Sequence, residues 1–385
     1  MYNPSEIRFK KNAYLDREYC IGSGHRPIIN ASIGTSQEEN SFETELQKAA
    51  VAVAAGAGMI TDHSICGDVI QFHKLLRRRI HVPLACIPIY ELSLREEDFS
   101  EQQAVEFTEE MLRRGFNILV LHATPRLSDV AEPITRGRVI PITSKGGRLA
   151  LDWMERNRAE NPFYSGFSQI LQIVKKYNGA ISLAPTYRPA SVVDNSMDPG
   201  DAHWIEISRM AELVERAIAA EVPIMVEGIG HAQISNIPEY VERGKKACHN
   251  VPYKVLTVAT DIALGYDNIA SAIASSIAVL HGADVVTGVT ASEHIALPSV
   301  EQVEAGVVTA NIAIHSAELC RNGSIEKDRR MSLARAERQS CQGRAEEALF
   351  PTGAKRAVKK DLFEKGCSMC GRLCAFYNKE DRDSE

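Results

Sequence analysis

The stretch Pro223-Ile-Met-Val-Glu-Gly-Ile-Gly-His231 decides how the chain is read. It opens on a proline that supplies a helix-to-strand turn and runs through three apolar residues without polar alternation. A carboxylate, two glycines and an imidazole crowd its far end. An unbroken apolar run of this length fits a strand buried on both faces, and such strands belong to parallel sheets covered by helices. Working outward, similar runs recur at 27–34, 58–64, 83–90, 117–123, 179–185, 253–263 and 283–289, which with 223–230 makes eight strands. Helical patterns fill the gaps at 38–56, 67–79, 100–114, 148–177, 203–220, 236–248 and 268–281, and 299–319 follows the last strand. Eight strand–helix units predict an α/β fold of the closed (β/α)₈ TIM-barrel type in preference to an open doubly wound sheet.

The expected organisation is an N-terminal extension over 1–25, a barrel catalytic domain over 26–322, and over 323–385 a charged helical arm with a cysteine-rich loop. The arm, helical over 325–348, interrupted near Gly343 and followed by a Pro351/Gly353 break and a basic run through Lys360, is too polar to bury a core of its own. A net charge of −6 gives no electrostatic footprint for nucleic acid or an anionic membrane. The absence of an apolar leader or a membrane-length apolar run predicts a cytoplasmic protein.

Polar residues gather where the strands end: Asn30 and Ser32, Asp62 and His63, Tyr90, His122, Arg188, Glu227 and His231, Asp261, Tyr266 and Asp267, then Glu293 and His294. Singly these are ordinary loop residues; as a circuit they offer what a small polar ligand needs at the C-terminal face of a barrel. Glu227/His231 and Glu293/His294 pair a carboxylate with an imidazole on two different strands. Imidazoles placed in this way ligate divalent zinc, iron or cobalt with positions left open, although a histidine of either pair also fits a plain hydrogen-bonded loop. Thr143-Ser-Lys-Gly-Gly-Arg148 puts free backbone N–H groups, a hydroxyl and a cation where a helix begins, which suits a phosphate. No P-loop, Rossmann fingerprint or G-x-S-x-G elbow is present. Three of the nine cysteines, Cys367, Cys370 and Cys374, fall within eight residues. Three thiolates so spaced hold three irons of a [4Fe–4S] cube and leave the fourth for a sulfonium cofactor; zinc with a fourth ligand from elsewhere, or disulfides, are the other readings.

Taken in order, INASIGTS (29–36), IPIY (87–90), LVLHA (119–123), TSKGGR (143–148), SLAPTYRPAS (182–191), MVEGIGH (225–231), TDIALGYDN (260–268), VTASEHIALP (289–298) and CSMCGRLC (367–374) resemble the phosphomethylpyrimidine synthase (ThiC) family of radical S-adenosylmethionine enzymes. The resemblance implies a (β/α)₈ barrel that rearranges 5-aminoimidazole ribotide to the hydroxymethylpyrimidine phosphate of thiamine, a carbon–carbon lyase reaction. Relatives that make 5-hydroxybenzimidazole, and a non-catalytic metal-binding relative, are the alternatives. It implies a [4Fe–4S] cluster on Cys367, Cys370 and Cys374, S-adenosylmethionine, and a mononuclear divalent metal, zinc or iron, on His231 and His294. Asn30, Tyr90, His122, Ser144, Lys145, Gly146, Arg188, Glu227 and Tyr266 match substrate-lining positions, with Glu227, Tyr266 and His122 the expected catalytic groups. It further implies an external electron donor and a homodimer in which the tail docks on the partner barrel. Departures are the C-x2-C-x3-C spacing with Gly371-Arg372, where the family usually has C-x2-C-x4-C with Gly-Pro, together with Pro185 for a usual Asp, Ser32 for Asn, Lys145 for Arg, and Ile229 and Leu264 for Pro.

Overall fold

A computed structural model describes residues 2–37, 41–96, 98–323, 325–337, 339–357, 364, 367–370 and 373–376. The chain divides into two compact units, Met1–Ala317 and Glu318–Glu385. The expected helix start at Glu38, the end of the basic run at 358–360 and the Gly371-Arg372 step lie outside the described residues.

The first unit begins with an antiparallel hairpin, β1 (Glu6–Phe9) and β2 (Tyr19–Gly22), in register Glu6 with Gly22 and Phe9 with Tyr19. Eight parallel strands follow: β3 (Ile28–Ile33), β4 (Met59–Asp62), β5 (Leu84–Cys86), β6 (Ile118–Leu121), β7 (Ala180–Leu183), β8 (Ile224–Glu227), β9 (Tyr253–Val255) and β10 (Val285–Thr287). They close into a barrel in sequence order, with Thr287 of β10 opposite Asn30 of β3 at the seam. The (β/α)₈ expectation is therefore met. Strands β4 to β10 are buried at every position, because side chains pointing inward fill the barrel and those pointing outward meet the helices. Tyr253 shows the outward packing: a Cβ on Gly228 or Gly244 would run into its ring, so both glycines are there for close approach.

Three expected elements differ. The helix expected over 148–177 is three, Lys145–Asn157, Pro162–Ser165 and Phe167–Lys176; Arg158 adopts left-handed backbone and Asn161 caps a fresh start before Pro162. The strand expected over 83–90 stops at Cys86, since Pro88 opens a helix, Pro88–Arg95, that carries Tyr90. The run 253–263 keeps only three residues as strand before the chain loops out.

The hairpin covers the turns that lead into the strands. Tyr2 Oη donates to Val222 O at 3.1 Å and Arg77 donates to Tyr14 O at 2.8 Å, while the hairpin end at Gly22 lies against Pro252. It therefore caps the N-terminal mouth, opposite the strand ends where barrels do chemistry. The helix Val300–Asn322 buries Val303, Val307, Ala310 and Ile314 in the barrel-unit core.

In the second unit, helices Glu326–Ala336, Cys341–Glu347 and Pro351–Arg356 bury Ala334 and Ala345 among the described residues. Arg330 and Glu347, 2.9 Å apart, bridge the first two. Gly343 lies within a helix; the interruption comes before Ser340, which caps that helix. Pro351 starts a helix where a break was expected, its missing N–H being one that a first turn leaves unpaired.

Candidate active site

Side chains from β3, β4, β6, β8, β9 and β10, and from the segments that follow the strands, converge on a chamber of about 90 Å³ at the C-terminal strand ends. Asn30, Tyr90, His122, Ser144, Arg188 and Glu227 all line it, as do Ser32, His63, Pro185, Lys254 and Thr287. A wider cleft of about 450 Å³ lies between the segment 129–142 and the helix Lys145–Asn157, but no histidine is among its lining residues.

Glu227 ends β8 inside the barrel, where its Oε1 accepts from Ser182 Oγ at 2.8 Å and Lys254 Nζ at 2.9 Å. Burial opposes its charge, yet Lys254 and Arg188 hold the carboxyl below its ordinary range. Burial, with Lys254 the first of the nearby cations, pushes His63 down to about 4, and burial likewise brings His122 to about 4. Both imidazoles are neutral at pH 7. His122 Nδ1, Thr287 Oγ1 and Arg188 Nε are buried without a protein partner among the described residues, so three polar atoms are left for a ligand. Asn30 is fixed by Thr61, whose hydroxyl donates to its Oδ1 at 2.6 Å.

Ser144 caps the helix Lys145–Asn157, its Oγ accepting from Gly147 N at 3.0 Å. Gly146 packs on the His122 ring, with no room for a Cβ, and its N–H is directed at the Tyr90 hydroxyl. Lys145 Nζ stands 5.0 Å from the Tyr90 ring centroid. A helix N-terminus, a cation and a second cation on Arg188 suit a phosphate.

The other expected histidines follow β8 and β10. His231 Nδ1 is bonded to Asp261 Oδ1 at 2.6 Å and His294 Nδ1 to Asp267 Oδ1 at 3.0 Å, while the two rings meet at 5.0 Å between centroids. Asp261 is itself braced by Ser191 Oγ at 2.7 Å and Val192 N at 2.9 Å. A carboxylate on Nδ1 orients an imidazole to present Nε2 to a metal, so this pair fits a divalent ion with open positions.

Two expected groups sit elsewhere. Tyr266 is 67% exposed and does not line the chamber. Asp62 points outward, where it accepts from Ser64 Oγ at 2.6 Å and pairs with His73 Nε2 at 2.8 Å. Lys254 was not singled out in the sequence, though a lone lysine in the apolar run Tyr253-Lys-Val-Leu256 is a signal in a doubly buried strand.

Of the cluster cysteines, Cys367 and Cys370 are exposed, Cys374 is half-buried, and all three are free thiols. A backbone N–H at Met369, then Arg344, draws the Cys367 thiol below its ordinary range. That favours its thiolate, and three free thiols in this spacing are the donor type an iron–sulfur cluster takes. Among the described residues, a trio of potential ligands within 4.8 Å occurs at Glu6, Cys20 and His25 on the capping hairpin. Arg8 already pairs with Glu6 there at 2.5 Å.

The radical SAM ThiC family profile matches residues 7–381. Phosphomethylpyrimidine synthase 2 of Syntrophotalea carbinolica is 34% identical over 384 residues, covering 95% of this chain and 87% of the relative. The phosphomethylpyrimidine synthases of Thermoanaerobacter sp. X514 and Archaeoglobus fulgidus are each 36% identical over 366 residues, covering 92% of this chain and 84% and 85% of theirs. This chain belongs to the radical SAM ThiC family.

Proposed function

We propose that this chain is a radical S-adenosylmethionine lyase that converts 5-aminoimidazole ribotide to hydroxymethylpyrimidine phosphate in thiamine biosynthesis. What carries the reading is the aspartate-braced pair His231 and His294 on the loops of a barrel whose chamber holds Glu227, Arg188 and two neutral histidines, in a chain of this family. His231 and His294 would hold the divalent metal, and Cys367, Cys370 and Cys374 the cluster. Bound there, the cluster and S-adenosylmethionine would supply radical chemistry to the chamber.

The protein's own part is to bind, orient and seclude. Ser144 and Lys145, at the start of the helix Lys145–Asn157, and Arg188 take the phosphate and fix which ribose hydrogen is presented. Ionised Glu227 accepts a hydrogen bond from a hydroxyl or amino group of the substrate, and Asn30 and Tyr90 complete the rim. Neutral His122 keeps Nδ1 for the substrate, where it takes or returns a proton during the rearrangement. The barrel wall keeps water from a reactive intermediate. Pro185 lines the chamber where the family has a carboxylate, so the polar work there falls to Glu227 and Lys254.

The division of labour follows: the barrel over 26–322 binds substrate and the arm over 323–385 binds the cluster. An external donor supplies electrons, the active form is a homodimer with the tail seated on the partner barrel, and the compartment is the cytoplasm. No helix among the described residues is long and apolar enough to cross a membrane. Expression in a bacterium deleted for its own phosphomethylpyrimidine synthase tests the function. Growth without thiamine or the pyrimidine is expected, and an auxotroph that stays dependent despite soluble, iron-loaded protein would overturn the reading.

A further inference from the structure

Lys254 is the polar side chain of strand β9, between Tyr253 and Val255. Tyr253 points outward to the helix Ile237–Ala247, and the alternation of a strand sends Lys254 into the barrel. There its Nζ donates to Glu227 Oε1 at 2.9 Å, with the two side chains 7% and 9% exposed. Ser182 Oγ donates to the same oxygen. Among the described residues both hydrogen bonds to this carboxylate end on Oε1, which leaves Oε2 as its acceptor for something else.

We propose that Lys254 is the positioning residue of the chamber: by holding Oε1 it fixes the Glu227 carboxylate, in its charged form, with Oε2 presented to a hydrogen-bond donor of the ligand. The identity of that ligand rests on the function proposed above; the pairing does not. A buried lysine needs a counter-charge and a buried carboxylate needs a cation, and each supplies the other's need. The groups around Glu227 leave Lys254 little competition. Arg188 follows β7, Tyr90 stands on the helix Pro88–Arg95, and His63 and His122 follow β4 and β6. The imidazoles are neutral, and the tyrosine stays protonated because burial raises its hydroxyl. Lys254 and Arg188 therefore answer the charge on Glu227. The consequence is specificity: a fixed, charged acceptor takes an amino or hydroxyl group and rejects a ligand that offers only a carbonyl or carboxylate at that point.

A double-mutant cycle on the reconstituted holoenzyme tests this, with wild type, Lys254→Met, Glu227→Gln and the double variant. Melting temperature is measured at about pH 5.5 and about pH 8, and affinity for 5-aminoimidazole ribotide at about pH 8. In K254M the buried carboxyl loses its main cation, so its folded pKa rises above the unfolded value; the cost is absent at low pH and grows as pH rises through that pKa. K254M is expected to melt at least about 5 °C lower at the higher pH and by less at the lower, and the added E227Q to return part of the loss. Ligand affinity should fall at least about tenfold in K254M, with the double variant no worse than the weaker single. Lys254→Gln replaces K254M in the same comparison if the methionine chain does not fold. Additive losses with no pH dependence overturn the proposal, and so does wild-type affinity in K254M. A wild type that binds no aminoimidazole ribotide while the stability cycle is coupled overturns the substrate assignment and supports the pairing.

Discussion

The imidazole of His231 meets that of His294 edge-on, at 5.0 Å between centroids and 74° between planes, and an aspartate holds Nδ1 of each. The braces come from one stretch: Asp261 and Asp267 lie on the loop after β9 and at the start of the helix Asp267–Leu280. Asp261→Asn and Asp267→Asn should each weaken divalent-metal binding about 10- to 100-fold, because the amide no longer fixes tautomer or basicity. Zinc and iron affinity by competition with a chromophoric chelator checks this. Unchanged affinity in both variants would separate the pair from the metal.

Asp62 looked like a site residue and serves the scaffold. Burial works to raise its pKa, but the hydrogen bond to His73, then the charge on His73 and the bonds from Ser64, hold it below the ordinary carboxylate value. Its contribution to stability is therefore present above the unfolded pKa of about 4 and is lost as pH falls through the lower folded value. Asp62→Asn should cost about 2–4 kcal/mol near pH 7, and the gap from wild type should close as pH falls through that window. Denaturant unfolding at a series of pH values measures it; a penalty that persists unchanged into acid would contradict the assignment.

Gly146 lies so close to His122 that a Cβ has no room. Gly146→Ala should displace either the imidazole or the start of the helix Lys145–Asn157, and so reduce affinity for 5-aminoimidazole ribotide at least about tenfold. Titration calorimetry reads the loss, with the melting temperature as a control for folding. Wild-type affinity would mean that the helix start plays no part in binding.

Cys367, Cys370 and Cys374 sit in a loop of three- and four-residue steps. If all three ligate, serine at any one should remove most of the iron bound after anaerobic reconstitution, whereas serine at the buried Cys248 should not. Iron per chain, measured by atomic emission, decides. Full iron content in the Cys370→Ser variant would move the ligand elsewhere.

Much of the barrel was legible because its strands are buried on both faces: apolar runs such as Ile118–Leu121, opened by glycine or proline, leave few other solutions. The hairpin Glu6–Phe9 and Tyr19–Gly22 escaped notice because each strand is four residues long and lies among charges, and its pairing depends on the barrel floor it covers. Motif order found Asn30, His122, Arg188 and Glu227, all of which line the chamber. What it could not supply was direction. Asp62 and His63 are neighbours that face opposite ways, Tyr266 has the right chemistry at an exposed position, and Lys254 is inward only because β9 begins at Tyr253. A one-residue change of strand phase decides which side chain reaches the ligand.

The most direct measurement is an anaerobic incubation of the reconstituted protein with reductant, S-adenosylmethionine and 5-aminoimidazole ribotide, with products identified by mass spectrometry. 5′-Deoxyadenosine is expected together with hydroxymethylpyrimidine phosphate, and neither from the Cys370→Ser variant. A fully loaded protein that forms no 5′-deoxyadenosine, or forms it without consuming the ribotide, would contradict the proposed function.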